Sequence, residues 1–191
     1  VDINGNEQAG TGILALSTFG PITAGAGYFN NTNLDASTEL NAGLGLTTNP
    51  GATLALDGAA DMYVATVQGD LDFVKLEAWY AGMAETFNTY TLAATGNIDL
   101  AENAKLGLEA RYVNLKAKDN GDLGFTGDDR KNDMFRFAVD GKFSIVNARV
   151  AYTKTGKHGG LTALDQDAKN TSLGWAITSN GVADADYWQA A

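Results

Sequence analysis

The sequence predicts an all-β protein, an antiparallel up-and-down transmembrane β-barrel. Three observations predict it. Hydropathy alternates with period two along most of the chain, one of the two alternating faces carries no charge, and several runs extend for 9–13 residues. A period of two is the signature of a strand with chemically different faces, whereas an amphipathic helix repeats every 3.6 residues.

Nine strands are expected, at 10–19, 22–30, 61–69, 73–81, 87–99, 104–117, 133–141, 145–155 and 184–191. The first two flank Gly20-Pro21, a turn pair, and two of the first three strands alternate more weakly than the middle five. From Phe73, Val74, Leu76, Ala78 and Tyr80 oppose Lys75 and Glu77. In the fifth strand Tyr90, Leu92, Ala94 and Ile98 oppose Thr89, Thr91, Thr95, Asn97 and Asp99. The sixth sets Leu106, Leu108, Ala110 and Tyr112 against Lys105, Glu109 and Arg111. In the seventh, Phe135, Phe137 and Val139 oppose Arg136 and Asp140. Val146, Ala148, Val150 and Tyr152 oppose Asn147 and Arg149 in the eighth, and the last run is weak. Short connections alternate with mostly long ones, as in a meander of sequential hairpins. Leu40 to Leu46 would be a further strand or a folded piece within the long loop 31–60, which would fold inward as a constriction or pack on a neighbouring subunit.

Alternation alone also fits soluble barrels and sandwiches. The polarity argues for a membrane. A soluble barrel is apolar inside and charged outside, but here the uncharged face bears the large side chains, and the charged face interleaves Lys105, Glu109 and Arg111 with small residues such as Gly107. Such a face suits a hydrated lumen. Charge on the lipid face would cost about 2–4 kcal/mol per mid-membrane Arg or Lys, which explains its exclusion there. Tyr28, Tyr80, Tyr90, Tyr112, Phe135, Tyr152 and Tyr187 fall near the long-loop ends, where a membrane girdle of amphipathic rings would lie.

Composition removes other classes. With no cysteine, the chain has no disulfide scaffold, thiolate zinc site or cysteine nucleophile. A net charge of −10 argues against a nucleic-acid partner, because phosphate neutralisation needs clustered Lys and Arg. The apolar content of 45% argues against disorder. His158 is the only histidine, and no serine-centred elbow or phosphate-binding loop accompanies it, so no enzyme and no cofactor is expected. Asp119, Asp122, Asp128 and Asp129 share one loop and are weak calcium candidates; their spacing is not that of an EF-hand, and a solvated loop is the preferred reading.

The strand count is odd and the chain stops at Ala191 inside an alternating run, so both ends read as cuts in a single, incomplete barrel domain spanning 1–191. A complete eight-stranded barrel with one strand over-counted is the alternative.

FGPITAGAGYFNNTN (19–33), TGKHGGLTALDQDAKNTSLGW (155–175) and the ADADYWQAA that closes the chain resemble the major outer membrane porins of Campylobacter-type bacteria, related to OprD-type channels. The resemblance implies an 18-stranded barrel, usually a homotrimer, set in the lipid and lipopolysaccharide of a bacterial outer membrane and passing ions and small hydrophilic solutes. The chain departs from that family in its length and in lacking a terminal aromatic residue. A smaller barrel whose outer loops bind a host or envelope partner is the second reading, and a soluble β-rich surface-layer domain the third.

A pore wall would be lined by Lys75, Glu77, Asp99, Lys105, Glu109, Arg111, Arg136, Asp140 and Arg149. Five cations against four anions leave it near neutral, so the excess acid sits in the loops and would favour cations mildly at the mouth. A turn near Gly141–Ser144 would set Arg136 opposite Arg149 and, with Arg111 on the preceding strand, create a basic column; the bland reading is three solvated arginines. The turn near residue 102 would pair Lys105 with Asp99.

Overall fold

The structure is a computed structural model that describes residues 9–33, 58–119, 123, 125–163, 170–174 and 177–191. Its main element is one antiparallel sheet in which strands pair in chain order. The strands are β1 (Gly10–Phe19), β2 (Ile22–Thr32), β3 (Met62–Leu71), β4 (Val74–Met83), β5 (Phe87–Ala101), β6 (Ala104–Ala117), β7 (Lys131–Phe143) and β8 (Val146–Thr155). Two short strands, β9 (Ser172–Gly174) and β10 (Ile177–Thr178), pair with each other in the connection that follows. The ninth strand of the main sheet is β11 (Asp186–Ala190), paired with β8. All nine expected strands are present, displaced at their ends by a few residues. Residues 34–57, including the proposed strand around Leu40 to Leu46, lie outside the described residues.

Register places side chains in rows across the sheet. One row runs Thr18, Thr23, Gln68, Glu77, Ala93, Arg111, Arg136, Thr153, Tyr187, each opposite the next. Because alternate residues point to opposite faces, this row fixes a polar face, and residues one position away fix an apolar one. Between Tyr90 and Leu100 of β5 the apolar face holds only uncharged residues. Ten residues at ~3.3 Å rise, tilted by roughly 40°, give a height near 25 Å, the thickness of a lipid-facing band.

The expected register of β7 and β8 is corrected by four residues. The turn sits at Ser144 and Ile145, so Arg136 pairs with Thr153, and Arg149 pairs with Asp140. Gly141 reads as a turn residue, but β6 continues beside it and supplies Leu106, Lys105 and Ala104 as partners for Gly141, Lys142 and Phe143. The template strand outweighs the local glycine, and Ser144 takes the left-handed conformation instead, with φ 55°.

On β1 and β2 the polar face turns apolar, which accounts for the weak alternation there. Leu14 and Leu16 lie across from Gly27 and Gly25. A Cβ on Gly25 would meet the Leu16 side chain at 2.3 Å, so the glycine leaves room for the leucine.

Loop segments fold against the polar face at its long-loop end. Met83, Phe87 and Leu115 are buried there with Leu161, from the connection after β8, and Ala60, Leu123 and Phe125 pack beside them. Burying each such side chain contributes about 1.5–3 kcal/mol. Asn132, fully buried, ties this layer to the sheet: its Nδ2 donates to the carbonyls of Leu115 and Arg130, and its Oδ1 accepts from the Leu161 amide. Gly160, at φ 100°, passes so close to Val182 that a Cβ would sit 2.7 Å from its backbone. Asn180 then closes the connection on itself, accepting from the amides of Thr162 and Ala163 and donating to the Ala163 carbonyl.

Candidate pore wall

All nine charged residues expected on the wall share the polar face. Four of them, Arg111, Glu109, Arg149 and Asp140, form a connected network, so the arginines are not a free-standing column of cations. Arg111 and Arg136 stand directly opposite one another, and each is only 4% exposed. Like charges so placed repel, so each needs other partners. Arg111 Nε donates to Glu109 at 3.2 Å, and Arg136 Nε donates to the Thr153 hydroxyl at 3.2 Å. Glu109 also lies 3.7 Å from Arg149 Nη2, while Arg149 Nη1 donates to both Asp140 oxygens, at 3.0 and 2.9 Å. Signs therefore alternate along Arg111, Glu109, Arg149 and Asp140. Arg149 joins the other arginines through Glu109, across a carboxylate.

The remaining groups make smaller contacts. Lys75 lies 3.3 Å from Glu77, which also accepts from the Trp79 indole at 3.3 Å. Lys105 and Asp99 are opposite residues 3.2 Å apart and both well exposed, so their pair adds little stability. Lys105 also faces Lys142 across β6 and β7.

A constriction was expected from the loop 31–60, most of which lies outside the described residues. The connection after β8 does reach inward, onto the polar face. Its Asn170 accepts a hydrogen bond from Arg111 Nη1 at 3.0 Å and donates to Thr91 Oγ1 at 3.2 Å, on β6 and β5. Nothing in the sequence marks that contact, because an asparagine in a polar loop is ordinary.

Aromatic rings concentrate on the apolar face at the long-loop end. Tyr28, Tyr80, Tyr90, Tyr112, Phe135 and Tyr152 all lie there. Tyr187 does not: it pairs with Thr153 in the row of arginines, and Trp188 takes the outward position, its ring 4.8 Å from Tyr152. Two adjacent aromatics leave the parity of a short run ambiguous until a partner strand sets it. Tyr63, not foreseen, stacks on Tyr28 at 5.3 Å, and Tyr80 stacks on Tyr90 at 5.0 Å. A second apolar belt at the short-turn end, also unforeseen, exposes Phe19, Phe73, Phe143 and Ile145. Beyond the tyrosines stand charged groups of the rim: Lys116 opposite Lys131, and Lys154 paired with Asp186 at 3.1 Å.

Of the loop aspartates, Asp122 lies outside the described residues, Asp119 pairs with Arg130 at 3.7 Å and Asp128 with Lys131 at 2.9 Å. The Lys131 ammonium and the nearby His158 hold the Asp128 carboxyl below its ordinary value. Among the described residues no three potential ligands gather around a common point. His158 is exposed.

No protein-family model and no curated protein matches the chain. Solved structures do. The outer membrane protein OpdK of Pseudomonas aeruginosa superposes with a TM-score of 0.69 at 11% identity, over 96% of this chain and 48% of that one. OccK10 (OpdN) of the same organism gives 0.73 at 9%, over 96% and 49%. OprD of that organism gives 0.65 at 17%, over 96% and 44%. The sheet has the fold of half an OprD-like barrel. This chain spans about half the length of those proteins. In that fold the two faces of the sheet become the inner and outer faces of a barrel, and the connection after β8 lies against the polar one.

Proposed function

We propose that the chain is part of a bacterial outer-membrane porin, a water-filled channel for passive diffusion of ions and small hydrophilic solutes. The observation that carries this reading is the division of one sheet into two chemistries. Eleven charged residues, the nine expected ones with Asp70 and Lys142, line the lumenal face, while the lipid-facing band between two aromatic belts is uncharged. A lumen filled by side chains would have no use for that many ions, whereas a wide one holds water against them. About nine further strands would complete an 18-stranded barrel. Sequence likeness to the Campylobacter-type major porins adds homotrimeric assembly to the proposal. Lys116, Lys131 and Lys154, past the tyrosine belt, suit contact with lipopolysaccharide phosphates. With six cations and five anions on the wall once Lys142 and Asp70 are included, the net charge of −10 resides elsewhere, and mild cation preference follows.

The test is single-channel recording in planar bilayers of the full-length protein from its source. Large, long-lived steps, grouped in threes for a trimer, are expected. Correctly inserted protein that never conducts would overturn the reading and favour a barrel whose outer loops bind a partner.

A further inference from the structure

We infer that Asn170 is a latch that holds the in-folded connection against the lumen wall and thereby sets the bore; the inference rests on the porin reading. Asn170 belongs to the segment between β8 and β11, yet it bonds to β6 and β5, two and three strands back from β8. Its side chain uses both ends of the amide. Oδ1 accepts from Arg111 Nη1 at 3.0 Å, and Nδ2 donates to Thr91 Oγ1 at 3.2 Å. Arg111 and Thr91 occupy neighbouring rows of the same face, a diagonal pair that one amide can bridge.

The latch covers what it binds. Arg111 is 4% exposed and Thr91 7%. Covering Arg111 has a cost, because its Nη2 is buried without a hydrogen-bond partner among the described residues. A buried cationic donor left unpaired opposes the covered state, and opening would return it to water. Glu109 on Arg111 Nε and Asn170 on Nη1 together offset that cost, and of the two only Asn170 ties the connection to the wall. The described parts of the connection are secured separately, by Asn132 and Asn180 and by the two bonds from Ser179 to the Thr171 carbonyl, so losing the latch detaches it from Arg111 and Thr91 while those anchors stay in place.

Asn170 is therefore a positioning residue. With the latch made, Arg111 is covered and solute passes Arg149, Asp140 and Glu109. With it broken, the bore widens and Arg111 adds positive charge to the path. Recordings of the full-length protein should give N170A a single-channel conductance larger by roughly 1.5- to 2-fold, with a reversal potential in a KCl gradient shifted toward anions. T91V, which removes one of the two bonds, should move both readings in the same direction by less. N170D offers a carboxylate that accepts from both Arg111 and the Thr91 hydroxyl, and it should bring conductance back to the native value or below. Heat-modifiable migration in detergent checks that each variant is a folded barrel, and T91V decides if N170A does not insert. A conducting native protein whose folded N170A and T91V variants match it in conductance and reversal potential overturns the latch alone. A silent native protein overturns the porin reading and the latch with it.

Discussion

Arg149 and Asp140 face one another across β7 and β8, and a single guanidinium nitrogen of Arg149 bonds both carboxylate oxygens, at 3.0 and 2.9 Å. The pair is half exposed to solvent, with side-chain exposures of 38% and 46%, so its worth lies in field more than in stability. Asp140→Asn should cost only about 0.2–1 kcal/mol of barrel stability. It leaves Arg149 with Glu109 alone, at 3.7 Å, and removes one of five wall anions. The expected result is a reversal potential displaced toward anions at nearly native conductance. An unchanged reversal potential would mean that this part of the wall does not see the permeating ions.

The arrangement of that pair shows where sequence reasoning succeeds. Alternation assigns Arg136, Asp140 and Arg149 to one face regardless of register, because a shift by an even number of residues preserves the face. Which residue stands opposite which depends on the turn, and Gly141 is a misleading marker when β6 extends beside it. The same limit explains Tyr187 and Trp188. Asn170 was beyond reach for another reason: its partners lie 59 and 79 residues away in the chain, and no periodicity connects them.

The two faces can be tested with one substitution on each. Ala94 lies on the apolar face of β5 between Tyr90 and Leu100, where the porin reading puts hydrocarbon. Ala94→Arg should reduce folding stability in lipid vesicles by about 2–4 kcal/mol. Gln68 lies on the polar face opposite Glu77, and Gln68→Arg places its charge beside that carboxylate, with an expected change within about 0.5 kcal/mol. Equal costs at the two positions would contradict the division of the sheet.

Asn132 makes three hydrogen bonds in full burial, and one of them anchors the Leu161 amide of the loop layer to β7. Asn132→Ala orphans the Leu115 and Arg130 carbonyls and the Leu161 amide in a site with no solvent exposure. The loss should be about 1–3 kcal/mol, read as a lower midpoint in denaturant. Cleavage by added protease within residues 156–163 should also accelerate, because that stretch loses its anchor to β7. Thermal loss without faster cleavage would place the damage in the sheet and not in the loop.

Tryptophan fluorescence separates lumen from lipid without reference to conduction. The chain has three tryptophans, of which Trp175 lies outside the described residues and is replaced by Phe in both variants below. Trp188 projects from the apolar face, 75% exposed and stacked on Tyr152. Trp79 lies on the polar face and donates its indole hydrogen to Glu77 at 3.3 Å. In vesicles, W79F/W175F should emit from Trp188 with a blue-shifted maximum and be quenched strongly by brominated acyl chains. W175F/W188F should emit from Trp79, respond weakly to brominated lipid and be quenched by aqueous iodide. Indole rings favour the membrane interface because an apolar body and a polar edge meet there, so Trp188 has the chemistry its position requires. A reversed pattern would turn the sheet over and put the arginines against lipid, where each would cost about 2–4 kcal/mol at mid-membrane depth.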